Sequence, residues 1–198
     1  MATGGGAEPV MVADDWTAAT TATITDIYFW GGWRGDVVGC MGDIYIQIFS
    51  NDTSGPFARP GENVWSRVIN PGQYTVRLYQ EESQNYYDPR QADEWSSDDH
   101  EELYQHNIPL ITSPFIQQAG QTYWLMISMD VQSGVWGWNS AESVSGSTAV
   151  FWDLRYMACA EIITPVAPQT PLDMAFVLVP EPATLLLLGL GGLILKRK

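Results

Sequence analysis

The stretch GDIYIQIFS, Gly42 to Ser50, alternates without a break. Ile44, Ile46 and Ile48 point one way, and Tyr45, Gln47 and Phe49 the other. That period of two predicts a strand with one buried face. Runs of similar character recur along the chain: TITDIYFWGGW (Thr23 to Trp33), NVWSRVI (Asn63 to Ile69), QYTVRLYQ (Gln73 to Gln80), ELYQHNIPL (Glu102 to Leu110) and TYWLMISMD (Thr122 to Asp130). STAVFWDLRYMA (Ser147 to Ala158) and LDMAFVLV (Leu172 to Val179) complete the set. Gly31 and Gly32 are expected to break the first of these runs, and NPGQ (Asn70 to Gln73) is a tight-turn signal between two others. No dozen residues before the C-terminal tail repeat with a helical period. The fold class that follows is all-β, an antiparallel β-sandwich of jelly-roll-like type, with one C-terminal helix.

Residues 1–9, MATGGGAEP, read as a flexible segment, residues 10–179 as the sandwich, and residues 180–198 as a separate tail. The first nine contain neither the cationic nor the apolar region of a secretory signal peptide. DPRQADEWSSDDHEE (Asp88 to Glu102) reads as a long charged loop, and TPVAPQTP (Thr164 to Pro171) as a Pro-rich spacer.

The formal net charge is −14, and three of the nine cations are Lys196, Arg197 and Lys198. The body of the chain thus sets six Arg against 23 acids. Such a surface repels polyphosphate backbones, which excludes nucleic acid as a natural partner. Cys40 and Cys159 form no CxxC pair, so they nominate no zinc site; in an oxidising compartment they are the candidates for one disulfide.

Few residues nominate chemistry. The two histidines, His100 and His106, stand six apart, which suits neither one helical face nor a zincin pair, and GxSxG, HExxH and P-loop patterns are absent. His100 reads as a solvated loop residue and His106 as a strand residue. Asp93, Glu94, Asp98, Asp99, Glu101 and Glu102 form the densest acidic cluster, without an EF-hand's spacing. Asp14 and Asp15, with Asp173 if the first and last strands lie together, are a second set of hard oxygen ligands. Calcium is the metal such a set could take; no other cofactor is indicated. Nine tryptophans exceed what a core of this size needs. Trp136 and Trp138, in SGVWGWNS, share a face if extended, where they would either fill the core or stack on sugar rings.

The tail carries the firmest signal. Val179-Pro180-Glu181-Pro182 precedes the uncharged, Leu-rich run Ala183 to Leu195, and Lys196, Arg197 and Lys198 close the chain. As a helix the run spans about 20 Å against about 30 Å of bilayer hydrocarbon. Its terminal cations can snorkel to the interface and set that end in the cytoplasm. The composite resembles the PEP-CTERM protein-sorting signal. The resemblance implies export, transient anchoring in the inner membrane, and processing by an exosortase-type enzyme near Pro180-Glu181-Pro182. The products of such processing are surface or extracellular proteins of bacteria that make exopolysaccharide. Proteins of this kind begin with a signal peptide, so either the start lies upstream of Met1, which is the expectation, or the tail does not function in this chain.

VADDW (Val12 to Trp16), TDIYFWGGW (Thr25 to Trp33) and LDMAFVL (Leu172 to Leu178) resemble an uncharacterised β-sandwich domain carried by such proteins. That resemblance implies a fold and no activity. The expectation is an exported, non-catalytic protein of structural or adhesive role in the envelope or matrix. A carbohydrate-binding module for exopolysaccharide is the first alternative, and a glycan-active enzyme the second.

Overall fold

The computed structural model describes residues 2–3, 10–90, 95–153 and 158–181. Among these residues, thirteen strands build two sheets. In chain order they are β1 (Ala2–Thr3), β2 (Val10–Thr17), β3 (Ala22–Trp33), β4 (Met41–Asp52), β5 (Arg59–Ile69), β6 (Thr75–Tyr87) and β7 (Trp95–Ile108). Then follow β8 (Phe115–Gln117), β9 (Thr122–Val131), β10 (Val135–Trp138), β11 (Val150–Asp153), β12 (Ala158–Glu161) and β13 (Phe176–Pro180). A short 3-10 turn, Arg34–Asp36, follows β3.

The first sheet is organised around β3. Its one edge pairs with β8 and then β7, its other edge with β13 and then β10; β6 lies outside β7 and β1 outside β10. The second sheet runs β12-β11-β2-β9-β4-β5, and every pairing in both is antiparallel. The molecule is an antiparallel β-sandwich.

The alternation in β4 is realised in full. Ile44, Ile46 and Ile48 are completely buried between the sheets, whereas Tyr45 is 41 % exposed. Each such isoleucine contributes about 1.5–3 kcal/mol by leaving water. Phe29 and Trp33 of β3 and Trp136 of β10 fill the same layer. Residues Trp124–Ile127 of β9 are buried on both faces, which is why that segment reads as a continuous apolar run. Its outward side chains, Trp124 and Met126, pack with Ala13 and Val150 under Phe49, Phe57 and Trp152 in a second, smaller core.

Several expectations change. The N-terminal segment, expected to be flexible, contributes a strand, since Ala2 and Thr3 pair with Trp136 and Val135. Strand β3 does not break at its glycines. A Cβ on Gly31 would stand 2.2 Å from the Trp136 ring, and one on Gly32 2.4 Å from His100 Nε2. The pair is there so that neighbouring side chains can cross the strand closely. The charged stretch after Asp88 is a loop only in its first part, because β7 begins at Trp95 and zips against β6 through three register shifts. The 147–158 run forms β11, with β12 beginning at Ala158 and residues 154–157 lying outside the described set. The final run becomes regular only at Phe176.

The disulfide does not form: both cysteines are free, Cys40 exposed just before β4 and Cys159 on β12. Strands β11, β2 and β9 lie between β12 and β4. At about 4.8 Å per strand that is roughly 19 Å, far beyond disulfide reach.

Candidate functional site

A cleft of about 170 Å³ opens where the β6–β7 hairpin passes over one side of the sandwich. Val12, Ile162, Leu172 and Met174 make its apolar floor, Tyr87, Trp95 and Trp138 supply aromatic walls, and Gln84, Asn85, Asn139, Ser140 and Thr164 bring neutral polar groups. Tyr87 and Trp95 are register partners across the hairpin, their ring centroids 6.1 Å apart and tilted by 54°. The Trp138 ring is fixed by its Nε1, which donates to the Ala175 carbonyl at 3.0 Å. Beside the cleft, Arg90 and Asp88 form a buried ion pair at 2.6 Å with side chains 5 % and 3 % exposed. The Arg90 amide also donates to Asp88 Oδ1, so the pair clamps the tip of the hairpin. Trp95 is the legible signal here, a tryptophan set alone among acids, in a stretch whose charge points to a loop.

Asp14, Asp15 and Asp173 do come together, around a separate and more open pocket. All three are buried. Asp14 accepts the amides of Asp15 at 2.8 Å and Met174 at 2.6 Å; Asp15 accepts Ser147 N at 2.8 Å; Asp173 accepts Ser145 N at 2.5 Å. The carboxylates thereby hold the 145–147 loop and the segment before β13 against β2. Burial raises Asp14 to about 8, opposed by those amides and reinforced by Asp173. Asp15 and Asp173 are raised too, again chiefly by burial. Asp173 Oδ1 is buried without a hydrogen-bond partner among the described residues. Also among these, no three His, Cys, Asp or Glu side chains are grouped to hold a metal ion. The chemistry of the group is that of an acceptor node for main-chain amides.

The remaining sequence-nominated residues divide by burial. Trp136 is wholly enclosed, edge-on to Phe29 and His106, and is closed to any sugar. The shared face expected of Trp136 and Trp138 is real, but it is the inward face; Trp138 alone of the two reaches the cleft. His100 is 7 % exposed on β7 beside Asp99, not a solvated loop residue. His106 stacks on Phe29 at 4.7 Å, and burial lowers its pKa to about 4. Asp98, Asp99, Glu101 and Glu102 belong to β7, where the amides of Glu101 and Glu102 bond to Asp36; Asp93 and Glu94 lie outside the described residues.

At the C-terminal end, Val179 and Pro180 are the last residues of β13, and the Glu181 amide donates to the Thr23 carbonyl at 2.7 Å. Pro180 and Glu181 are exposed. Pro182, the run Ala183 to Leu195, and Lys196, Arg197 and Lys198 lie outside the described residues.

The fold and the C-terminal segment define a β-sandwich module joined to a sorting tail. The family model described as "Domain of unknown function (DUF7901)" matches residues 3–179, and the chain belongs to that family. A model of the PEP-CTERM protein-sorting motif matches residues 178–198. No curated protein and no solved structure matches the chain. The motif supports export through recognition by an exosortase-type enzyme, with processing at the membrane on the way to the cell surface.

Proposed function

We propose that this chain is an exported, non-catalytic β-sandwich that acts at the bacterial envelope or in the exopolysaccharide matrix, in a structural or adhesive role. The observation that carries the reading is continuity. The domain match runs to residue 179 and the sorting motif begins at residue 178, so processing near Pro180-Glu181-Pro182 would leave the sandwich whole. The Leu-rich run of the tail is a transient anchor, and the delivered module is what persists.

The non-catalytic part of the reading rests on how the candidate acids and bases are used. Asp14, Asp15 and Asp173 are each spent on main-chain amides, and His106 is sealed in the core. The three carboxyl groups share one pocket, but a paired-carboxylate hydrolase needs two that are turned to a substrate, and oxygens of all three are turned to these amides.

The test is made in a host that carries the sorting enzyme, with the chain placed behind a working signal peptide. Surface labelling and fractionation should find the sandwich outside the inner membrane, and deletion should weaken cell–cell or cell–matrix cohesion. A chain retained in the cytoplasm would overturn the reading. Hydrolysis of matrix polysaccharide by the purified protein would favour the enzyme instead.

A further inference from the structure

We propose that the cleft under the β6–β7 hairpin is a binding subsite for a neutral pyranose unit of a glycan. The inference rests on the reading of the protein as a surface or matrix module, and it names what that module would hold.

Three features of the cleft select this ligand. The first is its chemistry. Tyr87, Trp95 and Trp138 line the cleft together with Asn85 and Asn139. A pyranose has one apolar C–H face and a girdle of hydroxyls, so it needs a ring to lie on and neutral donors and acceptors around it. The second is charge. No carboxylate, lysine, arginine or histidine lines the cleft among the described residues. Arg90, the nearby cation, is held by Asp88. In a chain of net charge −14, an anionic sugar would meet repulsion with no cation to offset it. The third is size. At about 170 Å³ the cleft falls below the roughly 300–1,000 Å³ of pockets for drug-sized ligands, and suits one ring or a chain end.

The walls are also fixed before any ligand arrives. Trp138 is pinned through Nε1, and the Arg90–Asp88 pair sets the hairpin tip beside Pro89. Trp95 and Tyr87 are only partly buried, leaving ring area to cover. Tyr87, half-buried on the cleft wall, supplies the phenol that a sugar hydroxyl would meet. With no acid–base pair lining it, the site would hold a sugar without cleaving it.

The full chain, kept in mild detergent, is titrated with neutral gluco-, galacto- and manno-oligosaccharides and with oligogalacturonate as the charged control. Calorimetry and tryptophan fluorescence report binding. At least one neutral series should bind, and oligogalacturonate at least tenfold more weakly. Trp95→Ala should weaken binding tenfold or more. Tyr87→Phe and Asn85→Asp, which preserve shape and are checked for folding by circular dichroism, should each weaken it several-fold. Tyr45→Ser, on the far sheet, should leave it unchanged. Absence of neutral-sugar binding, preference for the acidic control, or full affinity in folded Tyr87→Phe and Asn85→Asp would overturn the assignment. A protein delivered to the surface that binds no neutral sugar defeats this proposal alone; one that binds sugar but stays inside the cell defeats the localisation reading alone.

Discussion

The amide of Met174 donates to Asp14 Oδ2 at 2.6 Å, across 160 positions of sequence. That bond fixes the segment leading into β13 against β2, and it ends on a carboxyl group that burial holds in its acid form to about pH 8. The folded state therefore binds this proton more tightly than the unfolded chain does. The stability it contributes is complete below about pH 4 and is lost as pH rises through 8. Asp15 and Asp173 are raised in the same direction. Between pH 6.5 and 8 the unfolding free energy should fall, by at most about 1.4 kcal/mol per pH unit for each proton linked. Asp14→Asn, which keeps an acceptor for Met174, should flatten that slope in urea titrations at several pH values. An unchanged slope would show that Asp14 ionises normally. A rise in melting temperature on adding calcium at pH 8 would show the carboxylates able to turn toward a cation instead.

His106 acts in the opposite sense. Its pKa is lowered to about 4, so its contribution is present above pH 6.5 and is lost as pH falls toward 4. His106→Phe retains a ring against Phe29 and removes the titration. The variant should match the parent at pH 7 to within about 1.5 kcal/mol, the range of a volume-conserving swap. It should surpass the parent at pH 4.5. Equal acid sensitivity of the two proteins would point to another group.

Arg90 and Asp88 form a charge pair with nearly no exposed surface. Removing one partner breaks a buried charge pair, which costs about 3–5 kcal/mol. Arg90→Ala should show that loss in urea, and limited proteolysis should cut first between Asp88 and Trp95. The double variant Arg90→Met with Asp88→Asn should recover much of the stability. If the two changes simply add, the pair is not a coupled unit.

The two thiols should behave independently. Cys40 is exposed, while burial raises Cys159 to about 11. Thiol titration of the native protein at pH 8 should find one fast and one slow group. A reducing agent should leave the melting temperature unchanged. Oxidised protein with no free thiol and a higher melting temperature would require the sheet to be ordered differently.

The sandwich itself was legible where one face is buried and the other wet. Ile44, Ile46 and Ile48 announce β4 because water lies on the opposite side of that strand. Legibility failed where tertiary contacts override local character. Gly31 and Gly32 look like breakers, yet they sit mid-strand because Trp136 and His100 need the space of a missing Cβ. Trp95 is surrounded by acids, so β7 is hidden until its pairing with Tyr87 is seen. Asp14, Asp15 and Asp173 could be named as a set from the chain, because two are adjacent and the third depends on one topological guess. Their use as amide acceptors could not, because the donors are backbone groups of residues 145–147 and 174. The cleft was hidden for a similar reason: its walls come from β6, β7, β10 and the 162–174 segment, and no short motif spans them.

Pro180 closes β13 at the sheet edge, where its missing N–H breaks no ladder, and Glu181 is held by one bond to the Thr23 carbonyl. The processing motif therefore begins on the sandwich rather than on a free linker. Pro180 and Glu181 are exposed, so replacing Pro180, Glu181 and Pro182 with Ala should change the unfolding free energy by no more than about 0.5 kcal/mol for each exposed position. Its effect should be confined to sorting. Behind a working signal peptide, in a host with the sorting enzyme, the parent should be released as a species that lacks the Leu-rich run. The triple-alanine protein should stay with the membrane fraction at full length. Inserting Gly-Ser-Gly between Val179 and Pro180 separates the motif from β3, and should speed release if the sheet edge limits access. Processing of the triple-alanine protein at the parent's rate would mean that Pro-Glu-Pro is not what the enzyme reads, leaving the tail as an anchor alone.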